Sequence, residues 1–245
     1  MTVYLLPGMG CDARLFERLH LDGYEVVKLE WPSFGPKDTL EDIAGRMSAE
    51  VRSTEPHVLV GVSMGGMVAQ ELALLTKPEK VVLISSWTGP QEWPMHVRVG
   101  ARLGMHGIIR EWTMRASWPV KRLMDPREGP VDRLLWDMAV KQTARQLRNG
   151  TGAIMRWKGS RWTGPLVRIH GDKDIVTPLR FPVDHLVKGG QHVMILTKAD
   201  EVAACLRSAL TARRSAVWKA PSCWRYAGRR GQAARLPRSA PACVR

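Results

Sequence analysis

From His57 to Ala69 the chain reads His57-Val-Leu-Val-Gly61-Val-Ser63-Met-Gly65-Gly66-Met-Val-Ala, an apolar run that ends in G-x-S-x-G and passes directly into a helical pattern. A serine on so sharp a strand-to-helix turn must adopt a strained backbone conformation. Side chains two positions before and after it would collide, and Gly61 and Gly65 remove them. The hydroxyl then projects above the C-terminal edge of a sheet. The helix behind it presents unpaired N–H groups and a positive dipole end where negative charge would develop. A glycine-rich turn with an incidental serine would look the same over five residues, so the rest of the chain has to decide.

That rest alternates between strand and helix patterns. Short apolar runs at 3–6, 24–29, 57–62, 80–85, 166–170 and 183–187 predict strands. Helices are expected over 40–52, opened by Thr39 with Ile43, Met47 and Val51 on one face, from Gly65 onward, and over 194–210. Such alternation argues for an α/β fold: a mostly parallel sheet of about six strands, covered by helices on both faces. With 245 residues, 44% hydrophobic and 24% charged, the chain can bury a core without disulfide staples. Collagen-like, coiled-coil and wholly disordered readings are excluded. No stretch of about 18 uncharged apolar residues occurs, so no membrane span is expected. The N-terminal run reads as a strand and lacks the basic region of a signal peptide. Cys11, Cys205, Cys223 and Cys243 show neither metal spacing nor a secreted framework. A cytoplasmic protein with reduced thiols is expected.

Two segments break the rhythm. Residues 89–163 carry no strand pattern and are helical in character, interrupted by Pro94, Pro119, Pro126 and Pro130. They read as a helical insertion dividing a core of residues 1–88 and 164–210. Residues 211–245 hold eight Arg, one Lys and no acid, with no apolar periodicity, and read as a basic disordered tail. Most of the formal net charge of +14 lies in these two segments. It therefore does not imply a uniform nucleic-acid-binding surface. Cys11 reads as a packing residue. The seven histidines show no paired ligand spacing, so no metal and no cofactor are expected.

Further polar signals follow the fifth and sixth strands. Ile169-His170-Gly171-Asp172-Lys173-Asp174-Ile-Val-Thr-Pro178 supplies two candidate acids, and Gly189-Gly190-Gln191-His192 supplies a histidine 18 residues after Asp174. A serine hydroxyl is a poor nucleophile at neutral pH. It needs a base, and an imidazole base needs a carboxylate to fix its tautomer and stabilise its charged form. A competing motif lies at the first strand. Gly8-Met-Gly10-Cys-Asp-Ala13 fits G-x-G-x-x-A, and Glu30 stands near the spacing of a ribose-binding acid in a dinucleotide fold. That reading leaves Ser63 and the later acid and histidine without a role.

The order Ser, Asp, His on alternating strands resembles the α/β-hydrolase fold superfamily, of the serine esterase type, over roughly residues 3–210. The resemblance makes Ser63 the residue of a nucleophile elbow. Its G-x-x-D pattern picks Asp174 over Asp172, which becomes a turn residue. Its small-residue turn picks His192 over His170 and His185. Family members carry an oxyanion loop after the first parallel strand, usually His-Gly-x-Gly. Here Leu6-Pro7-Gly8-Met9-Gly10 puts proline in place of histidine, which changes how the loop is braced. The implied oxyanion donors are the backbone amides of Met9 and Met64. The insertion at 89–163 corresponds to the family's helical cap. Its Trp93, Trp112, Trp118, Trp136 and Trp157, with Met95, Met105, Met114, Met124, Met138 and Met155, offer core packing and pocket lining.

The implied activity is hydrolysis of carboxylic esters through an acyl-enzyme. The alternatives on the same fold are a thioesterase, a lactonase or an esterase of acyl-carrier-protein methyl esters. A dinucleotide-binding protein and a non-catalytic binding protein are the remote ones. The expected partner is a small-molecule ester, with an acidic carrier protein as the alternative delivered by the basic insertion. No metal, membrane or nucleic-acid partner is expected.

Overall fold

A computed structural model describes residues 1–110 and 129–212 of the chain. Six strands form one sheet among them: β1 (Thr2–Leu6), β2 (Glu25–Lys28), β3 (His57–Val62), β4 (Lys80–Ile84), β5 (Leu166–Gly171) and β6 (His185–Val187). Their order is β2-β1-β3-β4-β5-β6 and every pairing is parallel. The central strands β1, β3 and β4 are buried along their whole length, which accounts for their unbroken apolar runs. Edge strand β2 exposes Glu25 and Lys28 instead.

The pleat sends alternate residues to two cores. Val3, Leu5, Val58, Val60, Val82 and Ile84 face one. Tyr4, Leu6, Leu59, Val81 and Leu83 face the other. The second core is closed by α1 (Leu40–Met47) and α2 (Met64–Thr76). Thr39 starts α1 with a capping box to Asp42, and Ile43 and Met47 are buried on one face as the spacing predicts. The helix is shorter than expected and ends in a 3-10 turn over Ser48–Glu50.

Between β4 and β5, the described residues hold α3 (Met95–Arg102), α4 (Pro130–Lys141) and α5 (Ala144–Arg156), with no strand. After β6 come α6 (Met194–Thr197) and α7 (Ala199–Thr211), which close the first core. One continuous helix was expected here. The chain leaves helical geometry at Lys198 (φ −136°, ψ 45°), and Asp200 and Glu201 sit in the first turn of α7, where acids suit a new N-terminus. At its other end, Lys80 donates to the carbonyl oxygens of Ala209 and Ala212, the place where a helix favours a cation. No helix among the described residues is long and apolar enough to cross a membrane. Of the disordered tail expected over 211–245, Thr211 ends α7 instead, and residues 213–245, with Cys223 and Cys243, lie outside the described residues, as do Trp112, Trp118, Met114, Met124, Pro119 and Pro126.

Candidate active site

Ser63 sits between β3 and α2 with φ 55° and ψ −122°, a conformation that a non-glycine residue adopts at a cost of roughly 1–3 kcal/mol. Its neighbours show why the glycines are needed. A Cβ at Gly61 would stand 2.3 Å from the carbonyl carbon of Gly65. A Cβ at Gly65 would stand 2.3 Å from the oxygen of Leu6 and 2.4 Å from that of Pro7. The elbow therefore presses on the end of β1 as well as on itself. Two bonds hold it there. The Ser63 amide donates to the Ile84 oxygen (3.0 Å), and the Ser86 hydroxyl donates to the Ser63 carbonyl (2.7 Å).

His192 reaches Ser63 from the loop between β6 and α6, 129 residues away in sequence. Its Nε2 lies 3.1 Å from Ser63 Oγ, so the hydroxyl donates to this nitrogen. Its Nδ1 lies 3.0 and 3.2 Å from the two Asp174 oxygens. A carboxylate only accepts, so the ring proton is on Nδ1 and Nε2 is left as the acceptor of the serine hydroxyl. Asp174 stands on the loop after β5 with its side chain fully buried. Burial pushes its carboxyl up. The hydrogen bond and charge of His192 and the Thr177 hydroxyl and amide outweigh that and bring it to about 2.

The remaining candidates take other places. Asp172 accepts from the Gly189 amide (2.6 Å), which ties together the turns after β5 and β6. His185 begins β6. His170, near the end of β5, is buried. Its Nε2 donates to the Thr177 carbonyl (2.7 Å) and lies 3.5 Å from Asp174 Oδ2. Burial lowers its pKa, against the opposing pull of Asp174.

The glycine-rich loop after β1 passes over the serine. A Cβ on Gly8 would be 3.6 Å from Ser63 Cβ. Trp31 braces this loop: its indole N–H donates to the Gly8 carbonyl (3.1 Å), beside the Cys11 amide (3.1 Å). Met64 opens α2, so its amide has no intrahelical partner. The dinucleotide alternative loses its geometry here. The glycines lead only into a 3-10 turn, Ala13–Phe16, and Glu30 accepts from the Ala13 amide.

Helix α5 lies across this loop. A Cβ on Gly150 would stand 3.2 Å from the Met9 sulfur, and one on Gly10 would stand 3.4 Å from Leu147. The Thr151 hydroxyl contacts the Met9 sulfur at 3.5 Å. Trp93 and Trp157 are buried in the second core with Trp87, and Met138 is buried in the first. Trp136, Met95 and Met105 are exposed. Leu147, Gly150 and Thr151, which the tryptophan and methionine pattern did not single out, are therefore the residues of the insertion set against the loop. Thr177, Trp31 and Ser86 were also missed. Thr177 stands in the run that supplies the acid, but a threonine before proline carries no signal of its own.

Residues 3–205 match the sequence profile of the alpha/beta hydrolase family. Solved structures share the fold at low identity. A thermophilic esterase from Thermogutta terrifontis with malate bound is 18% identical, with a TM-score of 0.68 over 86% of this chain and 89% of that one. An esterase from Exiguobacterium antarcticum is 17% identical, with a TM-score of 0.64 over 86% and 92%. The enol-lactonase from Burkholderia xenovorans LB400 is 18% identical, with a TM-score of 0.60 over 86% and 91%. No curated protein matches the chain by sequence.

Proposed function

The chain belongs to the alpha/beta hydrolase family, and from that premise we propose that it hydrolyses carboxylic esters through an acyl-enzyme on Ser63. The observation that carries this reading is the unbroken chain Ser63 Oγ, His192 Nε2, His192 Nδ1, Asp174, with steps of 3.1 and 3.0 Å between residues of three separate loops. Ser63 attacks the ester carbonyl and its proton passes to His192. Asp174, held ionised, stabilises the imidazolium and keeps Nε2 aimed at the serine. The Met9 and Met64 amides take the negative charge on the carbonyl oxygen. His192 protonates the departing alcohol. A water then enters by the same route and releases the acid.

The cap sets the preference among esters. Leu147 and Gly150 of α5 lie against Gly10 and the Met9 side chain of the loop in a small, largely apolar contact. The inserted segment carries more Lys and Arg than Asp and Glu. Small to medium esters, neutral or anionic, fit these features better than cationic ones. A panel of 4-nitrophenyl esters of rising chain length tests the reading. Activity should rise over short chains, by up to about 0.8 kcal/mol per buried methylene, and then fall once the pocket is full. Ser63→Ala should abolish it without unfolding the protein. A variant as active as the wild type, or a clear preference for amine-bearing esters, would overturn the corresponding half of the reading.

A further inference from the structure

Asp174 receives more than His192. Its Oδ1 accepts from the amides of Val176 (3.0 Å) and Thr177 (2.8 Å). Its Oδ2 lies 2.6 Å from the Thr177 hydroxyl, the shortest contact the carboxylate makes. The direction of that hydroxyl proton follows from its surroundings. Thr177 Oγ1 has two acceptors in reach, Asp174 Oδ2 and, at 3.3 Å, the Ser85 carbonyl. If the proton pointed to Ser85, a hydroxyl lone pair would face an ionised oxygen at 2.6 Å. The proton therefore points to Asp174, in a short bond to a charged acceptor. Turned this way, the hydroxyl oxygen presents its lone pairs toward His192 Nδ1, 3.4 Å away. On the other side, His170 Nε2 holds the Thr177 carbonyl at 2.7 Å. Thr177 is thus clamped from β5 and grips both carboxylate oxygens, one by its amide and one by its hydroxyl.

We propose that Thr177, anchored by His170, is a positioning residue of this site: its hydroxyl sets the orientation and charge density of Asp174 and, through Asp174, the basicity of His192. The proposal rests on the reading of Ser63, His192 and Asp174 as the reacting set. The ionisable groups facing Asp174 are His192, from the loop after β6, and His170, from β5. Arg168, also on β5, acts on His170. With the hydroxyl gone, Oδ2 keeps only His192 as a side-chain donor. Its unshared charge then falls on the imidazole, which holds its proton more tightly, and the ring loses one of the contacts that aim it.

The test compares Thr177→Val, which keeps the shape and loses the hydroxyl, with Thr177→Ser, which restores it. Thr177→Val should lower kcat for a short 4-nitrophenyl ester about tenfold with KM little changed, and should move the acid limb of the kcat/KM profile to higher pH. Thr177→Ser should recover most of both. The imidazole C2–H titration of His192, followed by NMR and assigned with His192→Gln, should shift in the same direction. That titration reads the proposal even if the protein proves inactive on esters, and fluorophosphonate labelling of the wild type reports separately on Ser63. An unchanged pH limb and His192 titration in Thr177→Val, or Thr177→Ser as impaired as Thr177→Val, would overturn the proposal.

Discussion

The turn that carries Ser63 and the helix that lies over it are held by different forces. At the turn, backbone excludes backbone. Gly61, Gly65 and the end of β1 approach so closely that no side chain fits, and the strained φ of Ser63 follows from the shortness of the connection. Helix α5 is held by side chains reaching far along the chain. Gln146 accepts from the Phe34 amide and donates to the Pro32 carbonyl, both at 2.8 Å. Asn149 donates to the Phe34 carbonyl (2.7 Å) and Arg156 to that of Asp38 (2.5 Å). Trp157, just past the helix, donates to the buried Glu71 of α2 (2.7 Å). The first arrangement resists nearly any substitution. The second is a set of separable bonds, each worth about 1 kcal/mol, and can vary without touching the serine.

Substitutions on each side should therefore behave differently. Gly65→Ala should have the largest effect, because its Cβ would press into the Leu6 and Pro7 oxygens. Activity should fall at least about 100-fold, since a small misplacement of Ser63 is enough, and stability by about 1–3 kcal/mol. Near-normal turnover in this variant would mean that sterics do not set the turn. The double change Gln146→Ala, Asn149→Ala should cost about 2 kcal/mol in denaturant melts and raise KM while leaving kcat for the shortest ester near wild type. If kcat falls in step, α5 and the turn are one unit and the contrast between them fails.

Glu71→Gln should have the smallest effect, and its sign depends on pH. Burial raises the Glu71 carboxyl, and the Trp157 hydrogen bond only partly offsets this. A carboxyl whose folded value lies above its unfolded one stabilises the fold at acid pH. That contribution is lost as pH rises through the folded value. Glutamine can still accept from Trp157 but cannot ionise. The variant should match the wild type near pH 4 and become more stable than it toward neutral pH, by about 1 kcal/mol. Parallel stability curves from pH 4 to 8 would show that Glu71 stays ionised throughout, or that its titration does not couple to folding.

The same contrast explains what could be read from the sequence. Strands β1, β3 and β4 were legible because burial on both faces makes them continuous apolar runs. The turn was legible because its requirement for glycine is met within five residues. The convergence of His192 and Asp174 on Ser63 was inferable only because each follows a strand whose end lies at the same edge of the sheet. What was not legible depends on contacts without periodicity. The Trp31 indole on the Gly8 carbonyl spans 23 residues, and Gln146 on Phe34 spans 112. No local pattern announces either. Of the aromatic residues of the insertion, expected to pack in the core or to line a pocket, two take the first role. Trp93 and Trp157 are buried in the second core, and the residues of α5 set against the Met9 loop are smaller and less conspicuous.

The central claim is that Ser63 is a nucleophile activated by His192, and a fluorophosphonate probe tests it most directly. Intact mass and peptide mapping of the treated wild type should show one adduct, on Ser63. The adduct should be absent in Ser63→Ala and should form about a thousandfold more slowly, or worse, in His192→Ala. No adduct on the folded wild type, or an adduct on another residue with ester hydrolysis retained by Ser63→Ala, would contradict it.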